Sequence, residues 1–153
     1  MPVIKAGTAK TREGDAGSPL GAHRAQLISD TGHLTQFGAL IEELPPGSRS
    51  SHPHWHQEED EMVLLLSGTL ILIENGSETE LQPGDAACWP AGQAVAHSME
   101  NRGDAPARYV VIGTRVPRDT ITYPDHDRIL TYDRAAGTRS YHTRDGRPAS
   151  KPT

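Results

Sequence analysis

In Ser51-His52-Pro53-His54-Trp55-His56 a histidine recurs at every second position. In an extended strand that spacing turns all three imidazoles to one face. Glu61 follows His56 at the head of an apolar run, where a hairpin would turn its carboxylate back toward the histidines, and His97 follows the turn Pro90-Ala91-Gly92. Imidazole nitrogens with one carboxylate oxygen make a borderline N/O donor set. Such a set takes Fe(II), Mn, Zn, Ni or Cu rather than Ca or Mg. No thiolate joins it, because Cys88 is the one cysteine in the chain, and alone it can form no internal disulfide. Spacing by itself leaves a plainer reading open, that of solvated histidines on an exposed strand.

Residues of these types need a scaffold to hold them. The chain of 153 residues has 35% hydrophobic residues, and its eight histidines outnumber the one Phe, two Trp and four Tyr together. The length predicts one domain. Residues 34–113 hold 32 of the hydrophobics, or 40% of that stretch, so the core is expected there. Its apolar residues come in short runs broken by turn chemistry, with no sustained helical period. Leu34 to Leu44 ends at Pro45-Pro46-Gly47, and Met62 to Leu66 ends at Ser67-Gly68. Thr69 to Glu74 meets Asn75-Gly76, a pair suited to a type I′ hairpin, and Pro83-Gly84-Asp85 precedes another short strand. Ala107 to Gly113 is a final β run. The pattern predicts an all-β sandwich or barrel.

The flanks differ. Residues 1–20 are rich in Gly, Thr, Lys and Ala without period and read as a loose arm or an edge element. Residues 114–153 carry eight Lys/Arg against five Asp/Glu, a basic extension on an otherwise acidic chain of net charge −5. Ile121, Tyr123, Ile129, Leu130 and Tyr132 could hold its first half against the body, while disorder is an even alternative for the residues after Thr138. The negative charge argues against nucleic acid as a partner. No apolar stretch is long enough to span a membrane. With no apolar block between Met1 and Asp15, a cytoplasmic protein is expected.

Two motifs in order resemble those of the cupin superfamily, in its small single-domain form. The first reads Gly47, six residues, His54-Trp55-His56, four residues, Glu61, six residues, Gly68. The second reads Gly84, five residues, Pro90-Ala91-Gly92, four residues, His97, three residues, Asn101. The spacers before His54 and before His97 are longer than is usual in the family, a departure at the pocket mouth rather than in the ligands. The closing glycine also sets the register. If His52 and His54 were the pair, Glu59 would be the acid and Leu66 would stand where a glycine belongs.

The resemblance implies a double-stranded β-helix of jelly-roll type over residues 21–113, with an N-terminal arm over 1–20 and a C-terminal extension over 114–153. It implies one divalent transition metal ion (Fe, Mn, Zn, Ni or Cu) held by His54, His56, Glu61 and His97. Three histidines and one Glu leave positions open, which distinguishes catalytic from structural sites. The expected function is a metalloenzyme acting on a small oxygen-bearing metabolite by dioxygenation, isomerisation, epimerisation or lyase chemistry. The alternative is a non-catalytic cupin that binds or senses a metal or small molecule. Partners are expected to be a small-molecule substrate or ligand and a second copy in a homodimer.

Alternation and residue type place the neighbouring side chains. Trp55 should turn outward from the ligands, and His52 should be solvated one step above them. The run Glu58-Glu59-Asp60 reads as a solvated turn. Val63, Leu65, Val95 and Met99 share the ligand faces, which predicts apolar pocket walls and a substrate with a hydrophobic body. Cys88 and Trp89 are expected in the core. Arg49 and Tyr109 could reach the pocket and bind a carboxylate or hydroxyl.

Overall fold

The computed structural model describes residues 3–153. Its strands, in chain order, are β1 (Lys10–Glu13), β2 (Arg24–Leu27), β3 (Phe37–Leu44), β4 (Trp55–His56), β5 (Glu61–Ser67), β6 (Leu70–Glu74) and β7 (Ser77–Leu81). They continue as β8 (Ala86–Trp89), β9 (His97–Glu100), β10 (Ala107–Thr114), β11 (Arg118–Tyr123), β12 (Arg128–Asp133), β13 (Thr138–His142) and β14 (Pro148–Ala149). One α-helical turn, α1 (Ile28–Thr31), follows β2. No helix among the described residues is long and apolar enough to cross a membrane.

The strands pair into antiparallel sheets that do not close into a continuous barrel. A six-stranded sheet runs β1-β2-β3-β10-β5-β8. A three-stranded sheet, β7-β6-β9, and a five-stranded sheet, β14-β13-β12-β11-β4, are joined by isolated bridges, Arg49 with Glu100 and His54 with His97. The segment from Arg49 to His56 therefore runs between β9 and β11. Short spans and tight turns explain this connectivity. Asn75 (φ 47°) and Gly76 (φ 84°) both occupy the left-handed region that the expected hairpin turn requires. Gly68 (φ 78°) closes the first motif where any Cβ would come within 2.8 Å of Ala107 Cα and the Pro106 carbonyl.

Alternation places the core between the sheets. Val63 and Leu65 of β5 are about 1% exposed and meet Leu44, Leu70, Leu72, Leu81, Trp89, Met99, Ala107 and Tyr109. Burying each large aliphatic side chain stabilises the fold by roughly 1.5–3 kcal/mol. Val63 and Leu65 lie on the face of β5 that carries Glu61, so the same packing that forms the core aims that carboxylate inward.

Both flanks are built into this architecture. β1 pairs with β2, extending the six-stranded sheet, and β11 pairs with β4 at Ile121–His56 and Thr122–Trp55. The residues after Thr138, for which disorder was the even alternative, form β13 and β14, their backbone groups satisfied by pairing with β12 and with each other.

Candidate metal centre

His54 and His97 are cross-strand partners. His54 N–H donates to the His97 carbonyl (3.2 Å) and His97 N–H donates to the His54 carbonyl (3.0 Å). This reciprocal pair brings a residue of the first motif beside one of the second. His56, two positions along in β4, returns to the same face, and Glu61 begins β5 across the intervening turn. One ligand atom each from His54, His56 and Glu61 lies within 4.8 Å of the others, a group that could hold a metal ion. His97 Nε2 is 3.5 Å from Glu61 Oε2, and His56 Nε2 is 3.3 Å from the same oxygen.

Each imidazole is oriented by its other nitrogen. His54 Nδ1 donates to the His52 carbonyl (2.9 Å), and His97 Nδ1 donates to the Val95 carbonyl (3.0 Å). His56 Nδ1 meets Asp119 Oδ2 at 2.6 Å. A carbonyl or carboxylate against Nδ1 selects the tautomer that leaves the Nε2 lone pair free, the outer-shell arrangement typical of metal-binding histidines. His97 Nε2 is buried and has no hydrogen-bond partner among the described residues. An unsatisfied buried nitrogen costs free energy unless something takes its lone pair. The unpartnered nitrogen, the three outward Nδ1 contacts and the N/O donor set all fit a divalent transition metal.

The electrostatics agree. Burial lowers His54 to about 4, so it is neutral at physiological pH. Burial would lower His56 as well, but hydrogen bonding to Asp119 and Glu61 outweighs it and raises His56 to about 9 in the metal-free protein. Burial would raise Glu61; hydrogen bonding to His56 and the surrounding imidazoles instead holds it far below the usual carboxylate range. It is therefore a carboxylate at every physiological pH.

Several neighbours differ from the expectations. Asp119 was not singled out, yet its carboxylate, about 1% exposed, takes His56 Nδ1 and the N–H groups of Glu58 (2.9 Å) and Thr120 (2.8 Å). Its position 63 residues beyond His56 carries no local signal. The acidic run is not a plain solvated turn. Glu59 pairs with Arg134 at 2.6 Å and accepts from Val116 N–H, and Asp60 accepts from Ala91 N–H. His52 is not merely solvated, since its Nδ1 lies 3.0 Å from His126 Nε2. Trp89 is buried as expected and stacks on His97, with centroids 3.7 Å apart and planes 7° from parallel. Cys88 is exposed, because β8 turns it to the opposite face, where with Phe37, Met62 and Ile112 it lines an outer apolar cavity of about 320 Å³. Arg49 pairs with Glu100 at 2.7 Å, and Tyr109 is buried inside with its hydroxyl on Glu42.

Beside the cluster lies a cavity of about 770 Å³. It adjoins His54 through Ser51, whose Oγ is 3.3 Å from His54 Nδ1, and Tyr123, whose ring centroid is 5.5 Å from that of His54. Its walls are largely apolar, as expected, with Leu20, Ile121 and Leu130 among them, but they are not built from the residues expected. Val63, Leu65 and Met99 are consumed by packing against each other in the core, while the arm and the extension contribute Arg12, Glu13, Asp15, Tyr132, Arg139, Tyr141 and Lys151 to the cavity.

The comparisons with known proteins agree with this geometry. Residues 40–113 match the Cupin domain family, Cupin_2. The chain is 35% identical over 111 residues to the tetracenomycin polyketide synthase protein TcmJ of Streptomyces glaucescens, covering 71% of this chain and 72% of that protein. It is 32% identical over 69 residues to an oxalate-binding protein of Thermotoga maritima, covering 45% of this chain and 54% of that one. Among solved structures, a sugar phosphate isomerase from a cupin superfamily of Silicibacter pomeroyi superposes with a TM-score of 0.90 at 33% identity, covering 97% of both chains. By the order of its two motifs, its paired antiparallel sheets and these relatives, the chain belongs to the cupin family.

Proposed function

We propose that His54, His56, Glu61 and His97 hold one divalent transition metal ion, and that the protein is a metal-dependent isomerase of a small phosphorylated sugar. The observation that carries this reading is three imidazoles with Nδ1 engaged outward, gathered on one carboxylate beside a cavity that joins charged and apolar side chains. When bound, the ion would supply Lewis-acid polarisation of a carbonyl oxygen. The chain's own residues do the rest. Arg12, Arg139 and Lys151 offer positive charge for a phosphate group, and Ser50, Ser51, Tyr123 and Tyr141 offer hydroxyls to the oxygens of a polyol. The cavity volume suits a small metabolite. The 33%-identical sugar phosphate isomerase, matched over nearly its whole length, favours this chemistry over dioxygenation or lyase chemistry.

A second reading is a cupin that binds a chelating dicarboxylate without turnover, favoured by the relative named for oxalate binding. One experiment separates the two. Protein of measured metal content is reconstituted with Fe(II), Mn, Zn, Ni or Cu and incubated with a panel of aldose and ketose phosphates, and interconversion is followed by NMR. Interconversion that is lost with the metal in a His54→Ala, His97→Ala double variant supports the isomerase. Tight oxalate binding with no interconversion across the panel overturns it.

A further inference from the structure

The cavity contains a second set of titratable side chains that the metal cluster does not use. Glu42 of β3 is buried (8% exposed), and its Oε2 accepts the Tyr109 hydroxyl at 2.9 Å from the neighbouring strand β10. Its Oε1 lies 3.9 Å from Nε2 of His23, just before β2. His23 Nδ1 is buried with no hydrogen-bond partner among the described residues. Glu42 and His23 both line the cavity. The inward faces of β3, β10 and β5 form one surface, which carries Glu42, Tyr109 and Glu61.

A carboxylate buried only to support the fold would be enclosed by donors. Among the described residues Glu42 has a single hydrogen-bond donor, Tyr109, and it lines a cavity sized for a metabolite. The charged and titratable groups around it are Tyr109 from β10, His23 before β2, Arg12 from β1 and Glu61 from β5. Burial raises its pKa above the ordinary carboxylate value, more than Tyr109, His23 and Arg12 lower it, which brings it closer to the range where a carboxylate both accepts and returns a proton.

Resting on the isomerase reading above, we propose that Glu42 is the catalytic base of this cavity, moving a proton between adjacent carbons of the substrate. Its carboxylate takes the hydrogen from the hydroxyl-bearing carbon beside the substrate carbonyl. The electron pair of that C–H bond becomes the second bond between the two carbons, and the carbonyl π pair moves onto its oxygen, giving an enediolate. The hydroxyl proton then passes to the other oxygen, the new carbonyl forms, and the Glu42 carboxyl returns its proton to the former carbonyl carbon. Glu42 ends as it began, and no net oxidation occurs. Tyr109 and His23 are positioning residues that hold the carboxylate and set its basicity.

The test compares metal-reconstituted wild type with Glu42→Gln, which keeps the size and can still accept from Tyr109. Metal content, substrate binding, turnover and incorporation of deuterium from D2O into the substrate carbons are measured on the sugar phosphate panel. The expected result is full metal content and retained substrate binding, with kcat lowered about 10³-fold and carbon-bound deuterium exchange abolished. A Glu42→Gln variant within threefold of wild type overturns the base assignment and leaves the isomerase standing. A wild type with no turnover and no exchange overturns both. Should Glu42→Gln misfold, Tyr109→Phe is the second variant. It removes a hydrogen bond that lowers the Glu42 pKa, so the acid limb of kcat/KM moves to higher pH, and an unmoved limb assigns the base elsewhere.

Discussion

The strands of residues 34–113 and the flanks that wrap them contribute different halves of one site. The central segment supplies all four side chains proposed to hold the metal, on backbone held by reciprocal hydrogen bonds and a packed core. The flanks supply Asp119 behind His56 and, with Arg12, Arg139 and Lys151, the cationic part of the cavity. Under the proposed function this difference separates binding the ion from choosing the substrate. Substitutions of His54, His56, Glu61 or His97 in the central segment should abolish metal binding, whereas those in the flanks should tune it or change what the cavity accepts.

The largest effect is expected from the central segment. The His54→Ala, His97→Ala double variant should lose about one equivalent of metal by elemental analysis, since three and four donors are needed for a stable transition-metal site. Equal metal in both proteins would break the comparison at its first term.

Asp119→Asn should retain the fold but bind metal about 10–100-fold more weakly, because a ligand histidine loses the carboxylate that orients it and raises its basicity. Competition with a chelator measures this directly. Unchanged affinity would assign the flank no part in the metal site.

The flank cations should act on substrate instead. Arg139→Ala and Lys151→Ala should each raise KM for a phosphorylated substrate by about tenfold, the effect of one lost charge-assisted contact of roughly 1.5 kcal/mol. Metal content should not change, and an altered metal content would blur the division between the two regions.

Proton release on metal binding sharpens it further. His56, near 9 in the metal-free protein, carries a proton at pH 7.5 that a metal at Nε2 must displace. Calorimetry in buffers of different ionisation enthalpy should find about one proton released per ion, with apparent affinity falling as pH drops below 9. Above about pH 10 the release should vanish.

The smallest effect concerns stability. The Glu42 carboxyl is raised in the folded state, so its contribution is intact below the unfolded carboxylate value and is lost as pH rises through the folded one. Glu42→Gln should therefore melt a few degrees higher than wild type at pH 8, and the gap should close near pH 4. A gap independent of pH would mean that burial does not perturb Glu42.

Local chemistry accounts for what could be read along the chain. The period of two in His54 and His56 survives folding because strand geometry alternates faces whatever the tertiary context. Asn75-Gly76 and Gly68 likewise act through their own φ angles. Asp119, His23 and Glu42 could not be recognised in the same way. Each is an ordinary polar residue whose meaning comes from a partner far along the chain: His56 for Asp119, and Tyr109 for Glu42. Glu59 and Asp60 read as part of a solvated turn because a run of acidic residues usually is one, and Arg134 and the Ala91 N–H reach them from remote loops.

The sequence by itself determined the short-strand architecture and the turn positions, because these follow from backbone preference and periodicity within a few residues, while His54, His56, Glu61 and His97 were pointed to by the resemblance of its two motifs to those of the cupin superfamily. Tertiary structure alone decided which tautomer each histidine takes and that charged side chains of the arm and the extension join the cavity wall. It also decided that a buried glutamate shares the cavity. Those properties depend on desolvation and on hydrogen bonds between distant strands, which exist only once the sheets have packed.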